Sequence, residues 1–318
     1  MMNPTKMKAV ICSKYGPPEV LQLREVEKPE PKKDEVLIKI RTTSVTASDC
    51  IVRGFKLPIW NPVGLLMGLV LGFKKPRNPI LGMVLSGEIE SAGKDVTLFK
   101  PGDQVIAWTV KSPTKIRLGT YAEYKCLTED SVMTQKPANL SFEEAVAIPY
   151  GGLLALHFIK RGNIQEQQRV LIYGASGSIG TSAVQLAKYF GAKVTGVCGT
   201  SNVDLVKSLG ADQVVDYKKE NISDLKEHFD FILDAVGKRK SSELKLQLRN
   251  ILAPNGKYIS VDDGTPVATL ENLNLLINLA KNGQLKTVID RTYTLEQIVE
   301  AHRYVDQGHK RGNIVIIV

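Results

Sequence analysis

The chain has 318 residues, a formal net charge of +9, and 43% hydrophobic and 24% charged residues, the balance of an ordinary soluble protein with room for two domains and a substantial core. Its Lys and Arg residues are spread along the whole length, with no RNP-type aromatic motif and no zinc-finger spacing, so no specific nucleic-acid partner is expected. The four cysteines (Cys12, Cys50, Cys126, Cys198) are isolated from one another, which argues against a disulfide framework and a structural zinc lobe and suits a reducing compartment. Residues 1–8 contain neither a long apolar core nor a cleavage-like site, so a cytoplasmic chain without a signal peptide is expected. His157, His228, His302 and His309 are equally dispersed and read as surface or helix-end residues, not metal ligands.

The first third is strand-rich. Residues 7–12, 20–25 and 36–42 read as short strands, divided by the turn segments Tyr15-Gly-Pro-Pro18 and Lys28-Pro-Glu-Pro-Lys-Lys-Asp34. Val36, Ile38 and Ile40 alternate with Leu37, Lys39 and Arg41, the period of a partly buried strand. Segment 55–77 stands apart: it is apolar, punctuated by Gly and Pro, and flanked by Lys74, Lys75 and Arg77. Its uninterrupted apolar run, 63–73, is about half the length of a transmembrane helix. It reads as the wall or lid of an apolar substrate pocket, with peripheral membrane contact as the other reading. Strands at 83–91, 104–108 and 121–126 follow, with Pro101-Gly102-Asp103 as a tight turn, so the front of the chain is a β-type domain, a barrel.

From Ser141 the texture changes. Ser141-Phe-Glu-Glu144 has capping-box form and opens a helix. Strands at 170–173, 193–197, 213–215, 229–234 and 257–261 then alternate with helices at 178–190, 203–209, 223–228 and near 240–252, with a turn at Asn255-Gly256. That order predicts a doubly wound parallel sheet. The tail reads as strand 285–289, helix 295–306 and strand 313–318, and returns to the first domain.

Within the second half, Val170, Leu171 and Ile172 form the apolar run of a strand buried on both faces, and the chain then turns through Ala175-Ser-Gly177-Ser-Ile-Gly180 into a helix. Gly177 lets backbone approach a phosphate, Gly180 lets the helix pack close to the strand, and the helix N-terminus points N–H groups at the anion. Strand–turn–helix–strand context is what this glycine pattern requires to count as a dinucleotide site. At the end of the second strand an Asp or Glu would bind the ribose hydroxyls and repel a 2′-phosphate. This chain has Gly199, Thr200, Ser201 and Asn202 there, with Tyr217 and Lys218 after the third strand, which favours NADP(H) over NAD(H). No Arg or Lys lies between Gly199 and Val206, so the compensating charge has to come from farther along.

A β-rich front, a Rossmann middle and a short return tail together resemble the medium-chain dehydrogenase/reductase superfamily. The resemblance covers nearly the whole chain. It is carried by Val45-Thr-Ala-Ser-Asp49, Pro79-Ile-Leu-Gly-Met-Val-Leu-Ser-Gly87, Phe99-Lys-Pro-Gly-Asp103, the 175–180 turn and the ending Gly308-His-Lys-Arg-Gly-Asn-Ile-Val-Ile316. These look most like the zinc-free quinone oxidoreductase branch with its alkenal and enone reductases. The resemblance implies an α/β architecture of two domains: a GroES-like β-barrel catalytic domain over 1–126 and 284–318, and a Rossmann domain over 127–283. Zinc alcohol dehydrogenases place a Cys where this chain has Thr46 and a His-Glu pair where it has Met83 and Val84. Their third ligand falls in Ile148-Pro-Tyr-Gly-Gly152, which has no Cys, so no zinc is expected. Thr46 and Ile51 also replace an Asn and a Tyr usual in quinone oxidoreductases, which leaves the substrate class open.

By the same resemblance, Ala175, Ser176, Gly177, Ser178, Ile179 and Gly180 hold the pyrophosphate of NADPH. Gly199, Thr200, Ser201, Asn202 and Tyr217 take the adenosine side. Val236 and Val261 flank the nicotinamide ribose, and Asn313 belongs to the cofactor set. Thr46 and Tyr150 lie nearest the nicotinamide as candidate hydroxyl donors, while Asp49 anchors its own loop. The implied reaction is hydride transfer to a quinone or an α,β-unsaturated carbonyl, in a homodimer, with a small apolar substrate. Some relatives in the superfamily have become binding proteins. The second reading is therefore a non-catalytic NADPH-binding protein with a membrane-surface or nucleic-acid role.

Overall fold

The computed structural model describes residues 5–55, 62–112, 115–221, 225, 227–237, 245, 247–264 and 266–318. The chain forms two units: Met1–Pro149 with Val267–Ile277 and Ile289–Val318, and Tyr150–Pro266 with Asn278–Val288.

In the first unit β1 (Lys6–Cys12) pairs antiparallel with β2 (Leu21–Glu27). The long strand β3 (Glu35–Val45) runs into α1 (Ala47–Gly54) and α2 (Pro62–Leu71). Then come β4 (Val84–Ala92), β5 (Gln104–Trp108), the hairpin β6 (Val110–Ser112) and β7 (Lys115–Ile116), β8 (Tyr124–Thr128), β9 (Val132–Gln135) and α3 (Phe142–Val146). Two strands from the far end of the chain, β15 (Ile289–Thr294) and β16 (Asn313–Ile317), join a seven-stranded sheet in the order β15-β16-β3-β4-β5-β9, with β8 also on β3. Alternation along β3 supplies two cores. Val36, Ile38 and Ile40 pack with Leu85, Ile89, Val105 and Leu127, while Leu37 packs with Met7, Ala9 and Tyr124. Lys39 and Arg41 face solvent. Because β9 pairs with β5, the expected domain boundary at 126/127 falls inside this unit.

The second unit opens with α4 (Pro149–Gly162) and carries β10 (Arg169–Tyr173), α5 (Ser178–Tyr189), β11 (Lys193–Cys198), α6 (Val203–Ser208), β12 (Gln213–Asp216), β13 (Phe229–Asp234) and β14 (Leu252–Ser260). All pairings are parallel, in the order β12-β11-β10-β13-β14. The winding direction reverses between β10 and β13, and the crevice at the carboxyl ends of those two strands is the place such sheets hold ligands. α7 (Leu270–Lys281) crosses the division of the chain at Ile277, and α8 (Ile298–Asp306) lies back in the first unit.

Several expectations need correction. The helices expected at 223–228 and 240–252 fall largely outside the described residues; of the second, Leu248–Ile251 is a 3₁₀ turn and β14 starts at Leu252. Asn255 and Gly256 do not end a strand: they lie within β14, whose pairing with β13 shifts register between Phe229 and Phe231. β15 begins at Ile289, where the expected 285–289 strand ends. The stretch Phe142–Gly162 is long and apolar enough to cross a membrane by length and composition, but 72% of that window is buried.

His302 is not a surface residue. It is fully buried in α8, where its Nδ1 accepts from Arg53 Nη1 at 3.0 Å and lies 3.4 Å from Cys50 Sγ. Burial, with the Arg53 charge added, pushes its imidazole down to about 3, so it is neutral in the folded protein. Arg53, 1% exposed, also donates from Nε to the Gly16 carbonyl at 3.1 Å and from Nη2 to Asp306 at 2.6 Å. One guanidinium thus ties α1, α8 and the 15–18 turn together. Replacing it leaves a desolvated carbonyl and imidazole without their donor. Arg53→Met is expected to lower unfolding free energy in urea by about 3 kcal/mol, against less than about 0.5 kcal/mol for the exposed Lys94→Met; equal effects would contradict this role.

Candidate active site

The β10–α5 turn is built on two glycines that do different work. Gly174 adopts φ +79, a conformation that favours glycine. Gly180 brings α5 onto the turn: a Cβ there would lie 2.1 Å from the Gly174 carbonyl oxygen and 2.7 Å from Ala175 Cα. Gly177 is open by contrast, since a Cβ would meet only the Gly174 carbonyl at 3.6 Å. It is the N-cap of α5 and supplies no side-chain hydrogen bond to the helix. A bare backbone therefore faces the space at the positive end of α5, the geometry a pyrophosphate needs.

The other predicted cofactor residues of this unit converge on the same edge of the sheet. Val236 stands over the turn, with Cγ2 2.5 Å from where a Gly174 Cβ would be. Asn202 Nδ2 donates to Ser176 Oγ at 3.2 Å, and its buried Oδ1 has no partner among the described residues. Tyr217 stands over Gly199, its hydroxyl 3.2 Å from a Cβ built there, so a side chain at 199 would crowd the phenol. Tyr150 is buried in the first turn of α4, next to Gly151, where a Cβ would lie 2.3 Å from the Ser178 carbonyl. The residues present thus fit a bound dinucleotide: an uncapped helix start, an open Gly177, and a buried amide oxygen awaiting a donor. Asn313 lies in the first unit, buried at the start of β16.

Two carboxylates here escaped the sequence reading. Asp234, fully buried at the end of β13, accepts from Val236 N and Gly237 N at 3.0 and 3.1 Å through Oδ1. Its Oδ2 takes Tyr258 Oη at 2.9 Å and the Lys245 ammonium at 2.5 Å. That network shapes the 235–237 loop under Val236. Asp216, at the end of β12, accepts from Lys218 N at 3.0 Å, and the neighbouring Thr200 hydroxyl holds its carboxyl below the ordinary range. A carboxylate therefore lies beside the hydroxyl read as facing a 2′-phosphate. The one available signal was position: Asp216 directly precedes Tyr217.

In the first unit Thr46 is the N-cap of α1 and closes a full capping box with Asp49. Its hydroxyl donates to Asp49 Oδ2 at 2.6 Å, its N–H donates to the same oxygen at 2.9 Å, and Asp49 N returns a bond at 3.2 Å. Asp49 closes its own loop in this way. Burial pushes its carboxyl up to about 6 from an ordinary 3.8, against the lowering effect of the Thr46 bonds.

Two family descriptions match. "Alcohol dehydrogenase GroES-like domain" matches residues 32–138 and "Zinc-binding dehydrogenase" matches residues 178–299. A chloroplastic quinone oxidoreductase, QR1 of Triphysaria versicolor, is 33% identical over 98% of this chain and 98% of its own length. The chloroplastic NADPH-dependent alkenal/one oxidoreductase of Arabidopsis thaliana is 27% identical over 98% of this chain and 80% of its own. The solved quinone oxidoreductase of Coxiella burnetii superposes with a TM-score of 0.85 at 29% identity, covering 98% of this chain and 99% of that one. The fold and the site define a GroES-like unit coupled to a Rossmann nucleotide unit. The chain belongs to the medium-chain dehydrogenase/reductase superfamily, in its quinone oxidoreductase-like branch.

The zinc in one family description finds no matching donors here. Thr46 gives its hydroxyl to Asp49, Met83 and Val84 are buried and have no nitrogen, carboxylate or thiolate, and 148–152 has no Cys. Among the described residues no group of three or more His, Cys, Asp and Glu is placed to hold a metal. The side chains at these positions offer zinc no Cys, His or carboxylate donor.

Two outcomes follow from the geometry. Gly177→Ala should leave the urea midpoint within experimental error yet weaken NADPH binding at least tenfold by fluorescence titration, while Gly180→Ala should lose stability because its methyl meets backbone. A Gly177→Ala protein that binds NADPH normally would contradict the cradle. Asp49, whose folded pKa is raised, stabilises most below pH 3.8 and loses that contribution as pH rises through about 6. The stability of the native protein relative to Asp49→Asn should therefore fall by roughly 2–3 kcal/mol across that window; a flat difference would show an unperturbed carboxyl.

Proposed function

We propose that the chain is an NADPH-dependent, zinc-independent reductase that delivers hydride to the electron-poor β-carbon of an α,β-unsaturated carbonyl or to a quinone. The observation that carries this reading is the convergence of the 174–180 turn, Asn202, Tyr217 and Val236 at the carboxyl ends of β10, β11, β12 and β13. The names of the relatives support it: one acts on quinones, another is an NADPH-dependent alkenal/one oxidoreductase.

The bound nicotinamide supplies the hydride; the rest is work for this chain's residues. The open backbone at Gly177 and the start of α5 bind the pyrophosphate. Ser201, Asn202, Tyr217 and Lys218 take the 2′-phosphate, with Lys218 supplying the charge. The 235–237 loop, fixed by Asp234, and Val261 orient the nicotinamide ribose. As hydride adds to carbon, negative charge collects on the substrate oxygen and is quenched by one proton from a hydroxyl or water. Of the two candidate donors, Thr46 already gives its proton to Asp49, which makes Tyr150 the donor and Thr46 the cap that positions α1.

Four free cysteines suit a reducing compartment, and relatives named as chloroplastic give the expected cytoplasmic location no support. A homodimer remains part of the proposal.

NADPH oxidation with a panel of enones and quinones tests the reading. Turnover is expected, and Tyr150→Phe should reduce kcat by roughly 10²-fold with little change in KM for NADPH. Thr46→Val should keep kcat within about threefold while losing about 1 kcal/mol of stability as a cap. Tight NADPH binding with no turnover on any acceptor would favour the binding-protein reading, and full turnover by Tyr150→Phe would remove it as donor.

A further inference from the structure

The helix α2 divides its apolar residues between two sides. Gly64, Gly68 and Leu71 are buried. Behind Val70 and Leu71 lies a cavity of about 120 Å³, closed also by Val52, Ile116 and Leu118. Leu65, Leu66 and Leu69 point outward, at 50%, 40% and 53% exposure. Phe73, 44% exposed, follows the helix and lies across Gly68, its ring 2.1 Å from where a Cβ would be. The ridge is held firmly. Tyr15 Oη donates to the carbonyls of Leu71 and Gly72 at 3.1 and 2.7 Å, and Arg77 N donates to Leu71 O at 2.7 Å. Lone exposed leucines are normal on a soluble protein; three outward leucines within five residues of one helix, with an exposed Phe73 just beyond its end, are not.

The charges that adjoin the ridge in sequence have one sign. Between Asp49 and Glu88 the sequence contains no acid. Lys74, Lys75 and Arg77 are exposed directly beside Phe73. Arg77 also lines the cavity, with Ile116. At ten residues α2 is about 15 Å long, half a bilayer core, so it cannot span one. A short apolar helix whose exposed leucines stand beside Lys74, Lys75 and Arg77 suits contact with an anionic lipid surface. A second copy of the chain fits poorly, because a twofold contact through the ridge would bring two basic clusters face to face.

We propose that α2 is a membrane-contacting element: Leu65, Leu66, Leu69 and Phe73 enter the headgroup boundary of an anionic bilayer, and Lys74, Lys75 and Arg77 meet its phosphates. The contact goes beyond the reductase reading and does not need it.

Flotation of the full chain with vesicles tests the contact without any turnover, so its failure and a failure of the reductase reading are separate results. The protein is expected to float with phosphatidylcholine–phosphatidylserine vesicles at low salt, to be released at high salt, and not to float with phosphatidylcholine alone. Lys74→Glu/Lys75→Glu should weaken binding at least about tenfold. Leu65→Ser/Leu69→Ser, which changes only outward side chains, should do the same with an unchanged urea midpoint. Equal flotation with both vesicle types, absence of flotation, or variants that float like the native chain would overturn the proposal. So would a Leu65→Ser/Leu69→Ser protein that changes sedimentation state but not flotation, which would assign the ridge to a second copy.

Discussion

The nucleotide unit depends on how closely α5 can approach the turn before it. At Gly180 the helix backbone lies against the Gly174 carbonyl with no room for a methyl group. That contact puts the start of α5 at the carboxyl end of β10, where the winding of the sheet reverses. Val236 then closes over Gly174 from the next strand, and Asn202 reaches Ser176 from β11. If α5 moved outward these groups would no longer face one space. The open position, Gly177, is useful because its neighbours are tight.

The barrel unit is organised by buried polar groups rather than by glycines. Arg53 joins α1 to α8 through His302 and Asp306, and Asp49 closes the start of α1 on Thr46. Both networks remove side chains from solution chemistry. His302 is held neutral, and the Thr46 proton is directed at Asp49. A residue at a motif position that suggests catalysis is here satisfied by its own helix.

The parts legible in the sequence were those that depend on local pattern. The apolar run 170–172, the glycine spacing after it and the helical period of α5 lie within one short stretch, and each was placed within a residue or two. The capping box at Ser141 was equally local. α2 was not read as a helix because it is apolar on all sides, and without a polar face there is no period to detect. α1 went unseen because Thr46-Ala-Ser-Asp49 was weighed as a family motif and not as a cap. The least legible features join distant residues: His302 meets Arg53 across 249 positions, and Asp234 gathers Lys245, Tyr258 and Ser260 onto one carboxylate. No pattern along the chain announces such a meeting. Asp216 belongs with them, since only the fold brings it beside Thr200.

The central claim is that the edge formed by the 174–180 turn, Asn202, Tyr217 and Val236 holds a reduced nicotinamide dinucleotide. Calorimetric titration of the full chain with NADPH and with NADH measures this directly. The account predicts one site per chain for NADPH, with NADH bound more weakly because Tyr217 and Lys218 have no 2′-phosphate to meet. Absence of NADPH binding, or binding unaffected by Gly177→Ala, would contradict it.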